Sequence, residues 1–322
     1  MPVALITGIT GQTGSYLAEQ LVRDGWEVEG LTTLAADSAL AETPALPAGV
    51  RLHSVDLRDT TLLREAILDI RPQSIVNLAA ISSVAASWRD PIAVSMVNAL
   101  PVAVMLDAAR EISSSSDPEI TFVPASSSEM FGEHAPSPQS ETTPVAPSNP
   151  YGASKAYGHA LVGAYRAAGV RASSAILFNH ESPRRPATFV TRKITSTVAA
   201  IAQGKADELV LGNMEVRRDW GWAPDYAQAL TLMMSASTAD DYVIATGISH
   251  SIEDFVAAAF ATVGITEWQS LVRTDSEFYR PTDASEMRGD STKIRASLGW
   301  TPTKSFNEIA ASMVQADLAT FA

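Results

Sequence analysis

The first half of the 322-residue chain alternates short apolar runs with longer stretches in which apolar residues recur every three or four positions. The short runs fall at 3–7, 27–32, 51–55, 74–78 and 121–124, and each is followed by Gly, Ser, Asp or Pro punctuation. They predict strands, and the stretches at 17–24, 61–70 and 101–111 predict the helices that cross between them. Strand and helix in strict alternation predict parallel βαβ units, an α/β fold whose sheet is buried on both faces. Ser113 to Pro118 reads as a surface turn. Past about residue 180 the rhythm loosens: Arg184-Arg185-Pro186 ends one element, a helix is predicted over 189–202, Gly204 closes it, and tryptophans gather around 217–222. A half rich in turns and aromatic residues suits a smaller substrate-binding lobe. The chain shows no internal repeat and no low-complexity linker.

Composition narrows the function classes. A 46% hydrophobic content supplies a substantial core. The uncharged runs at 75–88 and 91–106 are too short to cross a bilayer, and Asn98 and Pro101 interrupt the second. Met1 leads straight into the first strand, with no basic leader or cleavage site, so a cytoplasmic protein is expected. A net charge of −13 excludes a general binder of nucleic acid or anionic membrane, since both need a cationic footprint. With no cysteine and five scattered histidines, neither thiolate chemistry nor a metal site is expected. Any phosphate on a ligand must be met locally, by a helix N-terminus or a few arginines.

One such place follows the first strand. Gly8, Gly11 and Gly14 in Thr7-Gly8-Ile9-Thr10-Gly11-Gln12-Thr13-Gly14 permit a tight turn, a close approach of backbone N–H groups to a pyrophosphate, and close packing of helix on strand. Val55-Asp56-Leu57 ends the third strand, where Asp56 can meet an adenine amino group. Leu78, Ala79 and Ala80, after the fourth, are small enough for a cofactor to lie close, a role that plain helix–strand packing would equally explain.

The second place is SNPYGASK, 148–155. Tyr151 and Lys155 stand four residues apart, on one helix face, and Pro150 sits where a first-turn proline costs least. An ammonium beside a phenol lowers its pKa toward neutrality, giving a usable acid and base. Ser127 in the serine run after the 121–124 strand is the candidate for binding the reacting oxygen, and Glu129 can remove a proton next to a ketone. A surface Tyr-Lys pair and a solvated loop acid are the plainer readings; the glycine loop and serine run outweigh them.

These residues resemble the extended short-chain dehydrogenase/reductase family, and are most similar to its GDP-mannose 4,6-dehydratase branch. The likeness runs nearly end to end through ALITGITGQ (4–12), SEMFG (128–132), FNHESPRR (178–185), TFVTRKI (188–194), LGN (211–213), RDWG (218–221), YRP (279–281) and LGW (298–300). It implies a Rossmann-type doubly wound parallel sheet over 1–178, with a return segment at about 216–262, and a sugar-nucleotide lobe from 179–215 and 263–322. It implies a catalytic set of Ser127, Glu129, Tyr151 and Lys155. Around the cofactor it places Gly8, Thr10, Gly11, Gln12, Thr13, Gly14, Thr33, Asp56, Leu57, Leu78, Ala79, Ala80, Tyr151, Lys155, His180 and Arg185. Around the substrate it places Ser87, Ser127, Glu129, Asn179, Val190, Lys193, Leu211, Gly212, Asn213, Arg218, Arg280 and Asp283, with Arg218 and Arg280 as diphosphate clamps.

The implied reaction oxidises C4 of GDP-mannose, eliminates water across C5 and C6, and returns the hydride to C6. A GDP-sugar 4-ketoreductase, an epimerase and a non-catalytic nucleotide-binding module are the alternatives. Family members carry an arginine pair after the second strand, suited to the 2′-phosphate of NADP; this chain has Thr32-Thr33 and a first acid only at Asp37. NADP is expected on the family relation, and NAD stays open. Ile81-Ser82-Ser83 replaces the family's histidine after the fourth strand. A homodimer is expected, packed through the helices containing Pro101 and Tyr151.

Overall fold

The computed structural model describes residues 1–33, 46–115, 120–278 and 284–321. The strands β1 (Val3–Thr7), β2 (Glu27–Thr32), β3 (Arg51–Ser54), β4 (Ser74–Asn77), β5 (Thr121–Ser127), β6 (Ala175–Leu177) and β10 (Tyr242–Ile244) form one seven-stranded sheet in the order β10-β6-β5-β4-β1-β2-β3. Every pairing in it is parallel. The period-2 geometry of a strand explains the continuous apolar runs. Ala4 and Ile6 of β1 enter one core with the helices α1 (Gln12–Arg23) and α8 (Ala223–Ser235); Leu5, between them, enters the opposite core with α2 (Thr60–Ile70) and α5 (Leu100–Ser115). Strand order reverses between β1 and β4, which opens a crevice at their carboxyl ends.

Two expectations shift in detail. The fifth strand runs to Ser127 rather than stopping at 124, because Ala125, Ser126 and Ser127 pair with β6 and the last two are buried. Ser113–Ser115 continue α5 instead of turning; the Ser114 hydroxyl donates to the Glu111 carbonyl, and Ser113 Oγ accepts from Ile120 N at 3.0 Å.

The chain leaves the large sheet at Phe178. β7 (Asn179–Glu181) pairs with β9 (Arg217–Trp222) in a second sheet that also holds β11 (Ser249–Ser251) and β13 (Glu286–Met287). Of the return segment expected at about 216–262, α8 packs on α1 and β10 joins the large sheet. The flanking β9, β11 and α9 (Ile252–Thr262) belong to the second body instead. The cause is aromatic packing: Trp220 of β9 meets Phe255 of α9 at 5.3 Å between ring centroids and Phe306 of the C-terminal helix, Phe306–Ala319, at 6.0 Å. α7 (Val190–Ala202) and β8 (Leu209–Leu211) complete this core.

The helical stretch Pro91–Ser114 is long and apolar enough to cross a bilayer, which the uncharged runs alone did not suggest, and half of it is buried within the fold. Its exposed side carries Ile92, Met96 and Leu100, one turn apart.

Buried Asp219 binds the two bodies together. Its carboxylate accepts from Thr246 N (2.8 Å), Thr246 Oγ1 (2.6 Å), Gly247 N (2.8 Å) and Gly289 N (3.3 Å), so β9 is tied to the segment after β10 and to the segment after β13. Burial still raises its pKa, with the four donors opposing. Asp219→Ala strands four donors in the interior and is expected to lower unfolding free energy by about 3 kcal/mol or more, measured by urea denaturation against the parent; a loss within error would show that water replaces the carboxylate.

Candidate active site

The glycine loop is built for close approach. Gly8 has φ +65, and a Cβ on it would stand 2.7 Å from Ala79 N; a Cβ on Gly14 would collide with the Gly8 carbonyl. Thr7 Oγ1 donates to Asn77 Oδ1 at 2.6 Å and accepts from Ala79 N at 3.1 Å, locking the ends of β1 and β4 at the strand-order reversal. Gly11 caps α1 without a side chain, so the positive end of that helix faces the crevice with no internal anion. This cradle fits the pyrophosphate of a dinucleotide.

Three of the predicted cofactor side chains, those of Gln12, Thr13 and His180, bind one another or the second body. Gln12 Nε2 donates to the His180 carbonyl at 2.9 Å, and its Oε1 accepts from Ser182 Oγ at 2.8 Å. His180 Nδ1–H donates to Phe178 O at 2.9 Å, which leaves Nε2 to accept from Thr13 Oγ1 at 2.8 Å. The ring stacks on Tyr226 at 4.4 Å, and its pKa is pushed down to about 4 by burial and then by the Arg185 charge, so it is neutral. Arg184 continues the seam, bonding Ser15 Oγ at 3.1 Å and Glu19 at 2.5 Å. The side chains of Gln12, Thr13 and His180 thus join the glycine helix to the second body.

Elsewhere around the crevice, Thr33 is exposed just past β2, Leu57 is buried, and Thr10, Leu78 and Ala80 are half-buried. Asp56 is clamped by Arg58, whose guanidinium and backbone N–H both reach its carboxylate and hold its pKa down. Asp37 lies outside the described residues.

The catalytic candidates converge at the end of β5. Ser127 caps the short helical turn Ser128–Phe131; its Oγ accepts from Glu129 N at 3.3 Å and shares a hydrogen bond with the Tyr151 phenol oxygen. Tyr151 and Lys155 ride on α6 (Pro150–Ala167), whose cap is Asn149, with Oδ1 accepting from Gly152 N at 2.8 Å. The same amide donates from Nδ2 to Glu129 Oε2 at 2.8 Å. A Cβ on Gly152 would collide with the Glu129 carbonyl, so only glycine lets the helix start lie against this turn. Buried Lys155 donates from Nζ to the Ala125 carbonyl at 2.7 Å and stands 5.8 Å from the centre of the Tyr151 ring.

The electrostatics correct one expectation. The phenol is not drawn toward neutrality: desolvation chiefly, with the Glu129 charge, pushes it up to about 12, against the Ser127 hydrogen bond and the Arg185 charge. Burial pushes Lys155 down to about 8. Both groups move toward their uncharged forms because the enclosure penalises either charge.

The sequence did not single out the Asn98 network. Asn98 accepts from Ile81 N at 2.8 Å, donates to Ile81 O at 3.1 Å and donates to Ser154 Oγ at 3.2 Å; Ser154 Oγ in turn donates to Tyr151 O. A buried polar residue in an otherwise apolar stretch was its only sign.

Substrate candidates divide. Asn179, Val190, Lys193 and Gly212 are half-buried, and burial lowers the Lys193 pKa. Leu211 is buried in β8, while exposed Asn213 accepts from Glu215 N at 2.9 Å. Arg218 is buried, and its Nη1 donates to Arg217 O and Ala284 O, both at 2.8 Å. Ser87 is fully buried, and its hydroxyl donates to Val84 O at 2.7 Å. Arg280 and Asp283 lie outside the described residues.

A parallel sheet in this order, a glycine loop at the strand-order reversal and a Ser-Tyr-Lys group at the strand ends define an extended short-chain dehydrogenase/reductase. Its fold is shared with the UDP-glucose 4-epimerase of Thermus thermophilus solved in complex with NAD: TM-score 0.83, 26% identity, 98% of each chain covered. More narrowly, residues 5–313 match the family model for GDP-mannose 4,6 dehydratase, and the chain belongs to that family. It is 42% identical to GDP-mannose 4,6 dehydratase 1 of Arabidopsis thaliana, over 98% of this chain and 90% of that protein. It is 39% identical to the Homo sapiens GDP-mannose 4,6 dehydratase, over 98% and 91%.

The Lys155 shift has a measurable sign. Between about 8 and 10.5 the unfolded chain binds a proton that the folded one has released, so stability rises with pH across that window. Lys155→Met removes the effect. The parent should gain roughly 3 kcal/mol on the variant between pH about 8 and the unfolded value, read from urea midpoints at matched pH; parallel curves would mean that the ammonium is solvated. Tyr151 opposes this only above about 10, and identically in both proteins.

Proposed function

We propose that the chain is a GDP-mannose 4,6-dehydratase, a lyase forming GDP-4-dehydro-6-deoxy-D-mannose. The observation that carries this reading is Glu129, held in the same turn as Ser127 and beside Tyr151. A ketoreductase needs Tyr151 and Lys155 but has no proton to remove at C5.

In the first half-reaction Tyr151, as the phenolate, takes the C4 hydroxyl proton, and Ser127 hydrogen-bonds the oxygen as it becomes a ketone. A bound nicotinamide would be held by the glycine loop and the Ser-Tyr-Lys group and would supply positive charge and the capacity to take up and give back a hydride. Lys155, anchored on Ala125 O, keeps a second positive charge under the helix start. The ketone acidifies C5. Glu129 removes the C5 proton and passes it to the departing C6 hydroxyl, which leaves as water; after C6 is reduced, Tyr151 protonates C5. Proton and hydride counts close with only water lost. A dinucleotide with a nicotinamide ring fits the glycine cradle and the Ser-Tyr-Lys group. We take NADP as the cofactor on the family relation, with Thr33 at the 2′-position and NAD as the alternative.

The homodimer reading rests on the exposed face made by Ile92, Met96 and Leu100 with Tyr157 of α6; Ile92 is 72% exposed, unusual for isoleucine outside an interface. Ile92→Glu with Met96→Glu should halve the mass seen by light scattering on a sizing column; an unchanged dimer would move the interface elsewhere.

For the chemistry, purified protein given GDP-mannose labelled with deuterium at C4, and no added reductant, should release water and carry the label to C6. Glu129→Gln should lower this by at least about a hundredfold with sugar-nucleotide affinity nearly unchanged. Normal turnover in that variant would remove Glu129 from the mechanism, and a reduced or epimerised product would favour one of the alternatives.

A further inference from the structure

We infer that Asn149 is a positioning residue for Glu129, orienting its carboxylate for the C5 proton and so governing elimination separately from C4 oxidation. The inference rests on the dehydratase reading above.

Asn149 is buried, and both ends of its amide are committed: Oδ1 to Gly152 N and Nδ2 to Glu129 Oε2, each at 2.8 Å. The orientation is forced. Turning the amide over would set its oxygen against a carboxylate and its N–H groups against a backbone N–H. The residue choice also carries information. Asn, Asp and Ser cap helices about equally well, but of these three only Asn accepts with one atom while its NH2 donates to a carboxylate. A capping requirement alone does not select it.

The bond engages one carboxylate oxygen. Oε1 of Glu129 has no hydrogen bond among the described residues, and the side chain is half-buried, so one oxygen is anchored and the other is left to meet a substrate. A glutamate has several rotamers, and a hydrogen bond to a charged acceptor is among the stronger ones, strong enough to select one of them. The charges and hydroxyls facing this turn are the Tyr151 phenol, the Ser127 hydroxyl and, through Tyr151, Arg185. These serve the C4 oxygen and its proton. Asn149 contacts Glu129 and its own helix start, so its loss falls on the C5 step.

The test compares cofactor-loaded parent, Asn149→Ser and Asn149→Asp. Both substitutions keep a capping oxygen. Serine withdraws the donor, and aspartate puts a second carboxylate in its place. With GDP-mannose in heavy water, C4 oxidation is followed by the near-ultraviolet absorbance of reduced nicotinamide, and elimination by solvent deuterium at C5 and by product.

Both variants should melt close to the parent and oxidise C4 at its rate. They should accumulate reduced nicotinamide, and form product about tenfold to a hundredfold more slowly, aspartate being the worse. Loss of both steps together, or of neither, overturns the positioning role, as does a large drop in melting temperature in both variants. A parent that releases no water from GDP-mannose overturns the dehydratase reading, and this inference with it. A dehydrating parent with unaffected variants overturns the inference alone.

Discussion

The site depends on one steric allowance: the start of α6 can touch the turn after β5 only because Gly152 has no Cβ to meet the Glu129 carbonyl. From that contact follow the Tyr151–Ser127 hydrogen bond, the bridge from Asn149 to Glu129, and the reach of Lys155 to Ala125 O. The contact joins the candidate side chains on α6 to those at the end of β5 with no intervening side chain, so a small displacement of either element would separate all of them at once. Asn98 and Ser154 brace the same helix turn from the other side.

Burial sets the charge state of this assembly. An enclosed phenol and an enclosed ammonium each drift toward neutrality, which raises one pKa and lowers the other. The Tyr-Lys pair is therefore not self-activating. Arg185 already pulls the phenol down from across the crevice, and it belongs to the segment that the glycine helix holds in place.

That segment, FNHESPRR, is among the narrower sequence signals in the chain, and much of it is spent on joining the two bodies. His180, Ser182 and Arg184 bind Thr13, Gln12, Ser15 and Glu19, while Glu181 takes a hydrogen bond from Thr191 at 2.6 Å and faces Arg185. Asp219 of RDWG does similar work between β9, the loop after β10 and Gly289. Motifs that identify the family thus report how the large-sheet body and the second body are registered against each other. Arg218 is likewise committed within the fold, donating to the backbone at both Arg217 and Ala284.

The chain's local pattern was enough for the βαβ alternation, the glycine cradle and the Tyr-Lys helix face, because periodicity, turn chemistry and an i,i+4 spacing are properties of neighbouring residues. The extension of β5 through its serines was hidden because pairing with β6, not composition, makes those residues strand. The roles of Asn149, Asn98 and Asp219 were hidden for the same reason: each contacts atoms that the chain brings close only on folding. The direction of the Tyr151 pKa was misjudged from sequence because spacing reports which charges are near but not how much water is excluded, and here desolvation outweighs proximity. What tertiary structure alone decided is therefore enclosure, and with it which polar side chains hold the fold and which are left to meet a ligand.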